Sequence, residues 1–203
     1  MGRSALHLAA VVASALAVVA CGAPPAAAPP VRAGWSPTPA APADVARADA
    51  AFAALTALVG EWDAPTGRGG TVHASYRLVS RGTALVETWR TPSSETLTIF
   101  HRDGGRLVAT HYCAQGNQPR LELAPRTSDG AFEFTFVDAT NLASARDAHL
   151  VRLRLQPYGP SRFDKTEVYE ANGQRDATTL AFTRAGSAKS HDATDEPAPG
   201  TLR

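Results

Sequence analysis

The chain has 203 residues, of which 44% are hydrophobic and 19% charged, and 20 Lys and Arg against 19 Asp and Glu leave a formal net charge of +1. The basic residues are scattered at that balance, which argues against a nucleic-acid footprint. The length suits one domain flanked by non-core segments rather than several domains.

In chain order, Arg3 and the run "LAAVVASALAVVA" read as a secretory signal over residues 1–20. The run is too short for a transmembrane helix of ~20 residues. Val18-Val19-Ala20-Cys21 resembles the bacterial lipobox, which implies that Cys21 is lipidated and becomes the new N-terminus. Such an anchor holds the protein at a membrane of the cell envelope, since several acyl chains bind durably where one does not. Gly22 stands where an Asp would retain a lipoprotein at the inner membrane, so the outer membrane is the expected address. With Cys21 modified, Cys113 has no disulfide partner in the chain. Residues 21–43 continue as an Ala/Pro-rich tether, and 185–203, polar and broken by Pro197 and Pro199, as a disordered tail.

The domain proper spans 44–184. Asp44 is a helix N-cap candidate, Val45, Ala48, Phe52, Leu55 and Val59 recur every three or four residues, and Gly60 ends the run. After it the period becomes two. Strands are expected at Glu61–Ala64, Thr71–Ser80, Ala84–Thr91, Glu95–Arg102, Arg106–Cys113, Gln118–Pro125, Ala131–Asp138, Ala148–Pro157, Phe163–Glu170 and Ala177–Arg184, separated by "RGT", "DGG", "SDG", "YGP" and "NG". About ten short strands joined by hairpins predict a mainly β fold, an antiparallel up-and-down barrel with one N-terminal helix, because closure removes the exposed sheet edges. Phe132, Phe134 and Phe136 share one face of their strand, and Val151, Leu153 and Leu155 share one of theirs.

"LVGEW", Leu58 to Trp62, is similar to the Gly-x-Trp signature that opens the first strand of calycin barrels, the lipocalin and fatty-acid-binding-protein superfamily. "TIFHRDGGRLVATHYCAQGNQPRL" and "FVDATNLA" resemble a group of bacterial secreted domains of lipocalin-like type. Together the likenesses cover most of Leu55–Arg184. They imply a barrel with a cavity, with Trp62 packed across its base and Gly60 permitting the entry turn, and they carry no established activity.

The polar residues are read by parity. Leu97 and Ile99 facing inward would carry His101 inward, and a three-residue Asp103–Gly105 loop would set His101 opposite Leu107, His111 opposite Leu97 and Cys113 opposite Glu95. The two imidazoles then stand about 13 Å apart along the ladder, too far to share a zinc ion bound at ~2.0–2.1 Å. His149 shares the expected inward parity of Val151 and Leu153 and approaches one of the other two. Some small ten-stranded barrels hold haem through a single histidine, but no motif here fixes an axial ligand and no other cofactor is expected; the alternative is that His101, His111 and His149 are satisfied strand-end residues near the barrel mouth. Cys113 beside His111 suggests a nucleophile pair, but no third orienting group or oxyanion site is legible. Glu87, between Leu85 and Trp89 on one parity, either points into the lumen, with Arg120 and Arg77 as counter-ions or as the means of holding a ligand's acidic head group, or lies on the wet face with its apolar neighbours under the N-terminal helix. Ala114–Gln118 is a hairpin connection, Gly116-Asn117 suiting positive φ, and His111, Tyr112, Asn117 and Arg120 around it either pin the loop or read a ligand at the mouth.

The leading functional reading is a monomeric, lipid-anchored binding module without chemistry of its own, taking a small, mostly apolar molecule in a cavity lined by Tyr76, Phe134 and Leu153. The alternative is a structural or interaction lipoprotein whose barrel is filled by side chains.

Overall fold

The structure is a computed structural model that describes residues 40–67, 69–125 and 128–186. The segments expected as signal and tether, except for the last residues of the tether, together with Cys21 and residues 187–203, lie outside the described residues. A helix, α1 (Pro42–Leu55), begins with Pro at its first position, where a missing N–H costs nothing, and carries Asp44 in its first turn. Its C-terminal end tightens into a 3-10 turn, Thr56–Leu58. The stripe is narrower than its periodicity suggests: Ala48, Phe52 and Leu55 are buried, while Val45 and Val59 are exposed.

Ten strands follow: β1 (Gly60–Pro65), β2 (Thr71–Val79), β3 (Ala84–Thr91), β4 (Ser94–Asp103), β5 (Arg106–Tyr112), β6 (Gln118–Leu123), β7 (Phe132–Thr140), β8 (His149–Pro157), β9 (Arg162–Ala171) and β10 (Gln174–Arg184). Each pairs antiparallel with its neighbour and β1 meets β10, giving a closed up-and-down barrel. This is the expected fold class, and it is consistent with a calycin-like architecture. The end carrying the β2–β3 and β4–β5 turns is the base. There α1 lies over the sheet, Arg102 reaching Asp49 at 2.7 Å and covering the Phe52 ring at 4.9 Å. The helix comes so close that a Cβ on Gly105 would sit 2.6 Å from the Asp44 Cβ. The opposite end is the mouth.

One register differs from expectation. The β4–β5 turn uses only Gly104 and Gly105, with Gly104 at φ +57, so Asp103 pairs with Arg106 and every partner shifts by one. Phe100 and Thr98 therefore face inward, not Ile99 and Leu97, and His101 moves to the outer face, where Nδ1 meets the Arg102 carbonyl at 3.2 Å. His111 stands opposite Thr98, and Cys113 falls beyond the β4–β5 pairing. A bulge between Leu150 and Arg152 also breaks the row on β8, so that fully buried Leu150 joins Leu153 and Leu155 in the core and Val151 does not.

At the base, Trp62 donates Nε1–H to the Leu58 carbonyl at 2.7 Å, and the Arg184 guanidinium covers its ring at 4.3 Å. Arg184 also donates to the carbonyls of Val59 (2.7 Å), Ala57 (2.9 Å) and Pro160 (2.9 Å), tying the end of β10 to the 3-10 turn. Gly60 is required twice over. Its φ of +130 is closed to L side chains, and a Cβ there would collide with Arg184 Nη1. Gly60→Ala is expected to lower stability by about 2 kcal/mol, the order set by such backbone strain; a urea midpoint equal to wild type would contradict this account of the base.

Above that base the barrel is packed. Trp62 and Phe163 meet edge-on at 4.8 Å, Phe163 stacks on Phe182 at 5.0 Å, and Trp89 meets Phe182 at 5.4 Å, forming an aromatic column from base toward mouth. Phe134 packs on Phe100 at 5.4 Å, and Tyr76 on Phe163 at 5.8 Å. Tyr76, Phe134 and Leu153 are thus core residues rather than the walls of a void.

Candidate functional site

A row of polar side chains crosses the interior at the top of this packed half. Inward parity on β9 brings in Lys165, Glu167 and Tyr169; on β3 it brings in Glu87 and Trp89; on β4 and β5 it brings in Thr98 and His111. Lys165 Nζ forms an ion pair with Glu87 Oε1, lies 2.9 Å from Glu167 Oε1, and sits 4.3 Å from the centre of the Trp89 ring. Tyr76 donates its hydroxyl to Glu87 Oε2 at 2.7 Å. Glu87 and Lys165 side chains are each 1% exposed, and Glu167 is 17% exposed.

Glu87 therefore faces the lumen and not the helix, but its partner is Lys165 rather than Arg120 or Arg77. Arg120 is ion-paired with Asp138 outside the barrel wall. Arg77 shares the exposed parity of β2. Burial alone would push the Lys165 ammonium down, yet Glu167 and Glu87 hold it above its ordinary value. Burial likewise opposes ionisation of Glu167, and Lys165 holds that carboxyl below its usual range. Tyr76 is raised well above its ordinary value by burial and by the Glu87 carboxylate.

His111 continues the row. Its Nδ1 lies 3.0 Å from Thr98 Oγ1 and its Nε2 3.2 Å from the Tyr169 hydroxyl, which in turn lies 3.5 Å from Cys113 Sγ. Burial, helped by the Lys165 charge and opposed by Glu167, lowers His111 to about 4. Both ring nitrogens are engaged, so a haem ligated here would have to displace Thr98 or Tyr169. Cys113 is also in contact with the Gln115 side chain, and Tyr169, raised by burial and by Glu167, is no ready base for it.

The 113–117 connection is a pinned loop. Cys113 N–H donates to the Asn117 carbonyl at 3.1 Å and Gly116 N–H to the Cys113 carbonyl at 2.9 Å. Gly116 has φ +86, whereas Asn117 does not adopt positive φ. Buried Asn117 instead donates Nδ2–H to the Ala148 carbonyl at 2.9 Å, and Asn141 donates to the Gly116 carbonyl at 3.1 Å. Asn117 Oδ1 has no partner among the described residues. Tyr112 points outward and is 44% exposed. His149 is buried near the mouth, with Nδ1 2.7 Å from the Asp147 carbonyl and its ring 5.0 Å from that of Phe136. The structure thus brings together Tyr76, Glu87, Trp89 and His111, sets Asn117 in a mouth loop and His149 at the mouth end of β8, and leaves His101, Tyr112 and Arg120 outside.

Three members of the row, Lys165, Glu167 and Tyr169, are absent from the sequence-based candidates. "FDKTEVYE" is polar on both faces, so its period does not announce a core side. The available signal was the pair of aromatics at its ends: Phe163 and Tyr169 share a parity, and the residues between them on that parity are Lys165 and Glu167.

Open space begins beside this row. β1 and β10 pair only at Trp62–Arg184 and Asp63–Thr183, so toward the mouth the β1–β2 hairpin and β10 part. The gap holds an open cleft of about 760 Å³ lined by Val72, Trp89, Thr91, Thr178 and Leu180, together with the tips of the β1–β2 and β3–β4 hairpins. Thr178 and Leu180 are the cross-strand partners of Glu167 and Lys165. A second cleft, about 300 Å³, lies between α1 and the β6–β7 end, against Ala50, Ala54, Leu123 and Phe132. Neither cleft touches Tyr76, Phe134 or Leu153. Among the described residues, no three His, Cys, Asp or Glu side chains converge as a metal ion requires, and no helix is long and apolar enough to cross a membrane. No family model matches the sequence, and no curated protein is similar to it.

Proposed function

We propose that the protein is a binding module of the bacterial cell envelope, held to a membrane by lipid on Cys21, that admits a small molecule with an apolar body into the open half of its barrel. The observation that carries this reading is the parting of β1 from β10, which leaves the half-buried Trp89 ring, Val72 and Leu180 facing a cleft large enough for a drug-sized body. The packed lower half supplies a rigid floor. Its aromatic column ends on Trp89, so that ring is held in place without a ligand, which limits the ordering cost of binding.

A neutral test compound, 2-(1-naphthyl)ethanol, is expected to bind saturably in calorimetry. Trp89→Leu should weaken it by about tenfold or more, the scale of one lost aromatic contact, whereas Phe134→Leu, in the packed half, should leave it nearly unchanged. The filled lower half also supports one alternative, a lipoprotein whose barrel is a rigid body for a protein partner. On that reading the alcohol finds no saturable site.

A further inference from the structure

We infer that the open half of the barrel selects an organic cation: a protonated amine on an apolar or aromatic body, its ammonium paired with Glu167. This rests on the binding reading above and assigns the ligand's charge. The interior row holds two carboxylates and one ammonium, and the three differ in how far they are satisfied. Glu87 uses both oxygens, one on Lys165 and one on the Tyr76 hydroxyl at 2.7 Å. Lys165 is held by Glu87, by Glu167 at 2.9 Å and by the face of Trp89 at 4.3 Å, and is 1% exposed. Glu167 gives one oxygen to Lys165; its other oxygen has no donor among the described residues, and the side chain is 17% exposed. His111 is buried and neutral, so it adds no positive charge.

The unmatched charge is therefore negative, and it sits on the charged member of the row that solvent reaches. Its position matches the cleft. Glu167 is the cross-strand partner of Thr178, and Lys165 that of Leu180, and both partners line the gap between β1 and β10. Glu167 is not itself a wall of the cleft; it stands beside Thr178, about 5 Å away across the ladder, so a ligand seated on Trp89, Val72 and Leu180 reaches it with an extended polar end. An ammonium there restores charge balance in a site shielded from bulk water, where such a pair is stronger than at the surface. An anionic head group would meet Glu167 with no exposed cation among the described residues that line the cleft, because Lys165 is already enclosed. The arginines that the sequence reading offered as anion receptors, Arg77 and Arg120, belong to the outer face.

The test uses the full-length protein and three compounds of one shape: 2-(1-naphthyl)ethylamine, 2-(1-naphthyl)ethanol and 3-(1-naphthyl)propionate, titrated calorimetrically at neutral pH and low salt. The amine is expected to bind at least about tenfold more tightly than the alcohol, with the carboxylate weakest. In Glu167→Gln the amine's advantage over the alcohol should collapse to within about twofold. An alcohol that binds as well as the amine, or an amine advantage that survives Glu167→Gln, overturns the charge assignment and leaves the binding reading standing. Absence of saturable binding by all three overturns both. Should Glu167→Gln fail to fold, the wild-type ranking of the three compounds decides by itself.

Discussion

Lys165→Met is expected to destabilise the fold by about 3–5 kcal/mol at neutral pH, the largest effect of any single change in the polar row. The methionine replaces the packing volume of the aliphatic stem, so the loss comes from charge rather than from a cavity. Without the ammonium, Glu87 and Glu167 face each other inside the barrel, Glu87 enclosed at 1% exposure and left with only the Tyr76 hydroxyl. One carboxylate must then take up a proton, and its folded-state value rises above its unfolded one. The sign follows: the variant's deficit is greatest above that raised value and shrinks as acid protonates the pair in the folded state. Lys165→Met combined with Glu87→Gln should recover most of the loss, since replacing a whole buried pair is far cheaper than breaking one. Glu167 tolerates the change better because solvent reaches it. Urea unfolding of the two variants against wild type measures each term; a single-variant loss below about 1 kcal/mol would mean that the pair is not buried as described.

The contrast between Glu87 and Lys165 explains what the sequence disclosed and what it hid. Glu87 was partly legible: Leu85 and Trp89 flank it at a period of two and put all three on one face, but the pattern leaves open whether that face meets the lumen or the helix. Lys165 sits in a strand whose two faces are equally polar, and its burial is decided by Phe163 docking on the distant Phe182 and Trp62. All ten strands could be placed to within a few residues because turn chemistry between them is local. Register was less secure: whether the β4–β5 turn holds two or three residues turns on the single residue Asp103, and that choice alone moved His101 from lumen to outer face. The bulge at Val151 acted in the same way on β8. Closure itself was legible, but the parting of β1 from β10 was not. It depends on how far the β1–β2 hairpin tip stands off from β10, which no pattern within either strand records.

The second large effect is a loss of stability on acidification that belongs to His111. This imidazole is 1% exposed and hydrogen-bonded at both nitrogens, and burial lowers it to about 4 despite the pull of Glu167. Between the unfolded value of about 6.5 and the folded one, the unfolded chain binds a proton that the native barrel refuses, so stability falls as pH falls through that window and levels off below it. The contribution amounts to about 2 kcal/mol between roughly pH 7 and roughly pH 4.6. Glu167 does not mimic it. That carboxyl is held below its ordinary value, so its stabilising contribution is lost only at more acid pH, as the solution falls through the folded value. Of the groups facing His111, Lys165 keeps its charge across the window and the Thr98 and Tyr169 hydroxyls keep theirs neutral, leaving the imidazole as the titrating member. In His111→Gln, whose amide can still meet both hydroxyls, the difference between the two pH values should shrink by about 2 kcal/mol. An unchanged difference would place the acid sensitivity elsewhere in the barrel and would mean that His111 takes up its proton without leaving the native state.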